Sequence, residues 1–341
     1  MLPAAVGGEF FGWISFFKLS YTFKLAPLAG YTDLPFRMAC REQGVYYAYT
    51  ALIDSGALVH GNRENDFILK RGPEEPWLGV QLLGSIPDDI RKSAQMLNSM
   101  DFDAVDFNMG CPMAKVVKRP AGAALVRPCN EKLALTCVKI LRDIIDKPLT
   151  VKLRIRDYND PEPTVDLCRK LESCGIDGLT LHGRNARAIY AGPVALRVIE
   201  AVRRALHIPV TANGGIFNFQ DALEMVAGTG CTNLMVARGA IGNPWIFRAL
   251  REWRHFAPTH EALCDVMERH VLGMVDLYGE HEGFVQARKI LVSYLGGRGY
   301  RKTWRVAGSQ MDNLANFAIF MRDLRAEGPV SESNQLDYLF R

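Results

Sequence analysis

The segment Asn108-Met109-Gly110-Cys111-Pro112 sets a thiol between glycine and proline directly after an apolar run. Such a cysteine can be a small buried hydrophobe, a nucleophile or a proton donor. A nucleophile wants an adjacent base, and none is local. A proton donor needs only a protonated thiol aimed at a carbon with carbanion character. Lys152, in Val151-Lys152-Leu153-Arg154, alternates with apolar neighbours, so a strand here turns its amine away from them. Buried lysines are rare unless paired or used. A Schiff base, a cation beside an anionic cofactor ring and a structural ion pair are the three readings. His182-Gly183-Arg184, with Arg187 just beyond, gathers titratable and cationic groups on one loop. Asn213-Gly214-Gly215 and Ala237-Arg238-Gly239 suit a phosphate held by loop amides, or are ordinary turn glycines.

Two stretches carry basic charge without relief. No acid falls between Phe107 and Asn130, where Lys115, Lys118, Arg119 and Arg127 lie, and the small residues at 120–124 are expected to form a mobile hinge. None falls between Phe284 and Met311 either, where Arg288, Lys289, Arg298, Arg301, Lys302 and Arg305 are interleaved with Tyr294, Tyr300 and Trp304. Cations mixed with aromatics suit a nucleic acid, gripped by its phosphates and stacked on its bases. Solvated faces with core aromatics are the alternative.

These groups need a scaffold. Eight strand-like runs occur at 24–30, 46–54, 77–84, 104–112, 149–155, 178–184, 209–216 and 233–240. Most read as nearly continuous apolar segments, the pattern of parallel strands covered on both faces. Helical stripes separate them: Ile90, Ala94 and Leu97 behind a cap at Ser85 and Pro87; Leu133, Cys137, Ile140 and Ile144; Leu167, Leu171 and Cys174; Val198, Ala201, Val202 and Ala205. Eight such units predict an α/β fold, a (β/α)8 TIM barrel, with its chemistry at the carboxyl ends of the strands. The chemical residues sit at those ends. Beyond Pro258 only helical stripes remain, predicting a small all-α domain. The expected division is an N-terminal extension at 1–23, a barrel at 24–250, a helical domain at 259–326 and a polar tail at 327–341.

The chain has 341 residues, 48% hydrophobic and 23% charged, with a net charge of +4. That excludes disordered, collagenous and coiled-coil classes. Eight cysteines without a Cys-x-x-Cys pair argue against a zinc site and a disulfide scaffold, and for a reducing, cytoplasmic setting; no metal is expected. The apolar run 10–17 is broken by Gly12 and Ser15 and is too short to span a bilayer, so no membrane partner is expected.

Together the motifs resemble the tRNA-dihydrouridine synthases: 25–33 (LAPLAGYTD), Val80-Gln81-Leu82, Asn108 to Pro112, Lys115 with Gly122-Ala123-Ala124-Leu125, Val151 to Arg154, His182-Gly183-Arg184, Ala212-Asn213-Gly214 and Ala237 to Ala240. The likeness runs in order from 24 to 247, and Ala287-Arg288-Lys289 with Tyr294-Leu295 looks like that family's C-terminal tRNA-binding domain. The resemblance implies an FMN-dependent reductase of tRNA uridine, with NADPH as electron donor and a monomer without a stable protein partner. Pro27, Leu28 and Ala29 would line the flavin, Gln81 would bond its ring, Lys152 would approach its N1–O2 edge and His182 would sit beside it or the substrate. Asn213, Gly214, Gly215, Ala237 and Arg238 would hold the phosphate. Asn108 would hold the extruded uracil, and Cys111 would protonate C5 after hydride reaches C6. Lys115, Lys118, Arg119, Arg154, Arg184, Arg187, Arg288, Lys289, Arg298, Arg301 and Lys302 would contact the tRNA. Leu28, Gly215 and Ala237 depart from the family's frequent Met, acid and Gly. The rival expectation is a flavin-dependent reductase or dehydrogenase of free pyrimidines, which has no need of the helical domain.

Overall fold

The structure, a computed structural model, describes residues 21–331. The expected extension lies outside the described residues except for 21–23, and the tail does so from 332. Eight parallel strands close into a barrel in sequence order: β1 (Thr22–Leu25), β2 (Tyr47–Asp54), β3 (Trp77–Leu83), β4 (Ala104–Met109), β5 (Leu149–Arg154), β6 (Gly178–His182), β7 (Val210–Asn213) and β8 (Asn233–Val236), with β8 pairing β1. The first strand therefore begins at Thr22, two residues ahead of the expected boundary at 24.

The strands are not uniformly apolar. On β4, Val105, Phe107 and Met109 face the helices in the main core, while Asp106 and Asn108 face inward. On β5, Val151 and Leu153 pack outward, and Lys152 and Arg154 reach the interior. The polar interior is internally paired: Lys24 Nζ donates to Thr211 Oγ1 at 3.1 Å, and Thr150 Oγ1 to Asp106 Oδ1 at 2.5 Å. Register aligns the functional rows, with Gln81 opposite Asp106, Asn108 opposite Lys152, Arg154 opposite His182, and His182 opposite Asn213.

Most expected strands run two to five residues too far, because each run joins a strand to the loop that follows it. Asn108 shows the physical cause. Its Oδ1 accepts from the backbone N–H of Gly110 (3.0 Å) and Cys111 (2.9 Å), which turns the chain out of the sheet. Ser85 does not cap its helix. Helix Pro87–Ser99 starts with proline at its first position, and the cap residue is Ile86, which offers no side-chain bond.

After helix Ile246–Glu252 come four helices among the described residues, His260–Tyr278, Glu280–Leu295, Lys302–Ser309 and Leu314–Glu327. Thr259 Oγ1 caps the first of them through Ala262 N. Their apolar core takes in Ala39 and Trp245 from the barrel side, and His270 stacks on Phe36 at 5.7 Å. Tyr278 donates to Asp33 at 3.0 Å, and Arg298 donates to Asn243 at 3.0 Å. The helical region is thus docked on the loop end of β1 and on the segment after β8, beside the barrel mouth.

Candidate functional site

The carboxyl ends of the strands enclose a cavity of about 500 Å³, within the size range of small-molecule and cofactor sites. Pro27, Leu28, Ala29, Gln81, Asn108, Cys111, Lys115, Lys152, Arg154, His182, Asn213, Gly214, Gly215, Ala237 and Arg238 all line it. Among the described residues no carboxylate does, so the cavity is cationic.

The cations are held in place. Lys152 donates to Asn213 Oδ1 at 2.9 Å, and Asn213 Nδ2 donates on to Met235 O at 2.8 Å. Burial, then the neighbouring Arg154, lower the Lys152 ammonium to about 8. Arg154 donates to Gly110 O (2.9 Å) and Asn185 O (3.0 Å), tying β5 to the cysteine loop. Burial, followed by the charges of Lys152, Arg154, Arg184 and Arg238, holds His182 well below the usual imidazole range. It is neutral at pH 7 and serves as a hydrogen-bonding group rather than a charge.

Backbone is brought close at Gly214, whose φ is +120°. A Cβ there would come within 2.7 Å of His182 Cδ2, so only glycine lets the β7 loop pass the imidazole. Bare amides beside Arg238 and Arg184 make a cradle for an anion. An anionic group fits this donor set.

Cys111 is half-buried, lines the cavity and packs beside Leu83, Val116 and Ala121. The small residues that follow it are not a hinge. Residues Gly122–Val126 form a buried 3-10 turn, and Ala123 N donates to Cys111 O at 2.9 Å. Gly122 has φ +56°, and a Cβ on it would lie 2.8 Å from Cys111 O. The segment is small because it is pressed against the thiol's own backbone.

The expected RNA contacts divide. Lys115, Lys118, Arg119 and Arg187 are exposed beside the mouth, and Arg119 pairs with Asp54. Arg301 and Lys302 are exposed on the helical region, with Arg301 3.4 Å from Glu327. Lys289 is half-buried over the Tyr31 ring at 4.9 Å, on the seam between the two regions. Arg288 is spent on Met311 O at 2.8 Å. Arg184 is buried and donates to Gly192 O at 2.8 Å, which makes it a brace of the site wall. Arg298 is a correction: it is 6% exposed, lies 5.0 Å over Trp245 and bonds Asn243, so it braces the docked helices and cannot reach a phosphate. The interleaved aromatics are likewise core. Tyr294 is fully buried, Tyr300 bonds His260 at 2.7 Å, and Trp304 packs edge-on against Phe320 at 5.4 Å.

Three site residues escaped the sequence reading. Tyr190 lines the cavity with its ring 4.2 Å from the Arg238 guanidinium; a single aromatic in a loop does not say that it folds back over the barrel mouth. Asp54 caps the helix after β2 through Gly56 N and Ala57 N and also holds Arg119. Asp106 is fully buried beneath the cavity. An acid alternating with Val105 and Phe107 inside the strand was its available signal.

A match to the family described as Dihydrouridine synthase covers residues 24–327. The tRNA-dihydrouridine synthase B of Pasteurella multocida is 31% identical over 290 residues, 83% of this chain and 86% of that one. The tRNA-dihydrouridine synthase B of Shewanella oneidensis is 32% identical over 307 residues, 88% and 94% of the two chains. Among solved structures, histamine dehydrogenase from Rhizobium sp. 4-9 superposes with a TM-score of 0.52 at 13% identity, covering 72% of this chain and 48% of that one, a likeness of fold alone.

Proposed function

The chain belongs to the dihydrouridine synthase family, and from that premise we propose that it binds FMN, draws electrons from NADPH and reduces the C5=C6 bond of uridines in tRNA, with Cys111 giving the proton. The family is flavin-dependent. The observation that carries the reading is the convergence of Cys111, Asn108 and Lys152 with a glycine-lined, carboxylate-free wall on one cavity.

A flavin held there would supply the two electrons for the uracil. The cradle of Gly214, Gly215 and Arg238 would take its phosphate, while Pro27, Leu28 and Ala29 would lie along one side. Lys152, steadied by Asn213, offers positive charge to the cavity. Asn108 has one amide hydrogen left after bonding Gln81 and can hold a uracil carbonyl. Cys111 Sγ then delivers a proton to C5, where negative charge gathers as C6 is reduced. The base reaches the cavity only when flipped out of its stack. Exposed Lys115, Lys118 and Arg119 flank the mouth, and Arg301 and Lys302 extend the cationic surface onto the helices. The eight free cysteines fit a reducing cytoplasm, and the reading is of a monomer. No helix of the described residues is long and apolar enough to cross a membrane.

The test is turnover on an unmodified tRNA transcript against free uridine, using purified protein with its flavin spectrum recorded. The expected result is a yellow protein active on tRNA and inactive on the nucleoside. Activity on free uridine would instead favour a reductase of free pyrimidines.

A further inference from the structure

We propose that Asp106 is a positioning residue for the Cys111 thiol, acting through Gln81 and Asn108. Its acceptor-only carboxylate orients two side-chain amides in turn, and the second holds the backbone of the cysteine loop. The inference rests on the reading of Cys111 as proton donor.

Asp106 lies on β4 between Gln81 of β3 and Thr150 of β5, its register partners on either side. Gln81 Nε2 donates to Asp106 Oδ2 at 2.6 Å, and Thr150 Oγ1 donates to Oδ1 at 2.5 Å. Each carboxyl oxygen thus has a polar partner, and Oδ2, which faces an amide NH2, can only accept. Burial raises this carboxyl above its ordinary value, and the bonds from Gln81 and Thr150 and the charges of Lys152 and Lys24 oppose that rise without cancelling it.

A carboxylate can face only the NH2 end of Gln81. Gln81 Oε1 must then face the next residue, and it accepts from Asn108 Nδ2 at 2.7 Å. Asn108 in turn is left with its Oδ1 directed at the N–H groups of Gly110 and Cys111. Asp106, Gln81 and Asn108 are 0%, 1% and 6% exposed, so water offers little alternative partnering. The polarity of one buried charge is therefore read out at the thiol's own amide. Asparagine at 106 removes that constraint. With its Oδ1 kept toward Gln81, its NH2 must turn the Thr150 hydroxyl from donor to acceptor; with the amide reversed, its NH2 meets that of Gln81, and relief by flipping Gln81 then Asn108 sets an NH2 against two backbone donors.

The test compares wild type with Asp106→Asn and with the double variant Asp106→Asn, Gln81→Glu. In the double variant the new amide at 106 donates to the new carboxylate at 81. That carboxylate still accepts from Asn108, and the net charge is that of wild type. Two quantities are read. One is alkylation of Cys111 by iodoacetamide, peptide-mapped and referred to exposed Cys129. The other is turnover on tRNA at saturation, with KM for tRNA. Asp106→Asn should alkylate severalfold faster at Cys111 and lose about tenfold to a hundredfold in turnover, with KM little changed. The double variant puts a carboxylate on a residue that lines the cofactor cavity, so its alkylation rate, not its turnover, should return most of the way. A single variant that fails to accumulate while the double accumulates is the same rescue, read in yield. Wild-type behaviour of the single variant, a double variant whose Cys111 alkylation is no nearer wild type than the single's, or failure of both to fold overturns the proposal. Cys111→Ala separates the two ideas. Full activity in that variant defeats the proton-donor reading, while the alkylation comparison still judges the relay.

Discussion

Replacing Gly214 with alanine tests whether the β7 loop is shaped to let a ligand lie against His182. The backbone there has φ +120°, and an added methyl would sit 2.7 Å from His182 Cδ2, 2.9 Å from Nε2 and 3.3 Å from Val194 Cγ2. The imidazole is buried, with Arg184 approaching its Nε2 at 3.5 Å, so it has little room to retreat. Backbone strain of about 1–2 kcal/mol adds to overpacking of about 1–3 kcal/mol. The sum is about 2–5 kcal/mol, a large part of a stability of roughly 5–15 kcal/mol. Gly192 supplies the control: its φ is +72°, and an added Cβ meets nothing within 4 Å. Gly192→Ala should therefore show the cost of a positive φ without a clash. At about 2 °C per kcal/mol for a chain of this size, Gly214→Ala should melt several degrees below Gly192→Ala. It should also purify with little flavin absorbance, while Gly192→Ala stays yellow. If both variants melted together and held flavin equally, the steric reasoning for the cradle would be wrong.

Cys111→Ala should keep its flavin and tRNA affinity and lose about 10²–10⁴ in turnover, the worth of a general acid; full activity removes the proton-donor role. The Lys152 ammonium sits at about 8, below the roughly 10.4 of a free lysine, so it is charged below that pH and neutral above. A reaction that needs this cation should slow as pH rises through about 8, and Lys152→Arg, whose guanidinium stays charged, should lose that limb even if slower throughout; a profile flat to about pH 9 in wild type refutes the requirement. Arg301→Ala with Lys302→Ala should weaken tRNA binding and reduce the slope of log affinity against log salt by between about 1.4 and 1.8, two phosphate contacts' worth. An unchanged slope would remove these residues from the interface. Arg298→Ala should leave that slope alone and cost about 1–3 kcal/mol of stability, because Asn243 loses its partner.

The barrel was legible because its signals are local. Eight apolar runs separated by helical stripes fix the count, and special residues at their ends mark the mouth. Runs such as 104–112 extend too far because an apolar stretch does not say where a side chain will turn the backbone; at Asn108 that is a three-dimensional bond to Gly110 and Cys111. The alternation of Asp106 and Asn108 with Val105 and Phe107 was present in the text of β4 but masked by its hydrophobic average. The small residues at 120–124 read as flexible because composition alone does not show that they are wedged against Cys111. Arg298 and the aromatics Tyr294, Tyr300 and Trp304 read as an RNA surface because sequence spacing reports which residues share a segment, not which face of it meets another helix. Tyr190 and Asp54 enter the site through long-range contacts that leave no mark in their neighbours.

The central claim is that the thiol at 111 protonates a tRNA uracil in this cavity. It is tested most directly by reducing the flavin of wild type and Cys111→Ala with NADPH, adding unmodified tRNA, and following flavin absorbance together with dihydrouridine content. The account predicts rapid tRNA-dependent reoxidation with stoichiometric dihydrouridine in wild type, and slow reoxidation in the variant despite equal flavin content. Equal rates in the two proteins, or no response of wild type to tRNA, would contradict it.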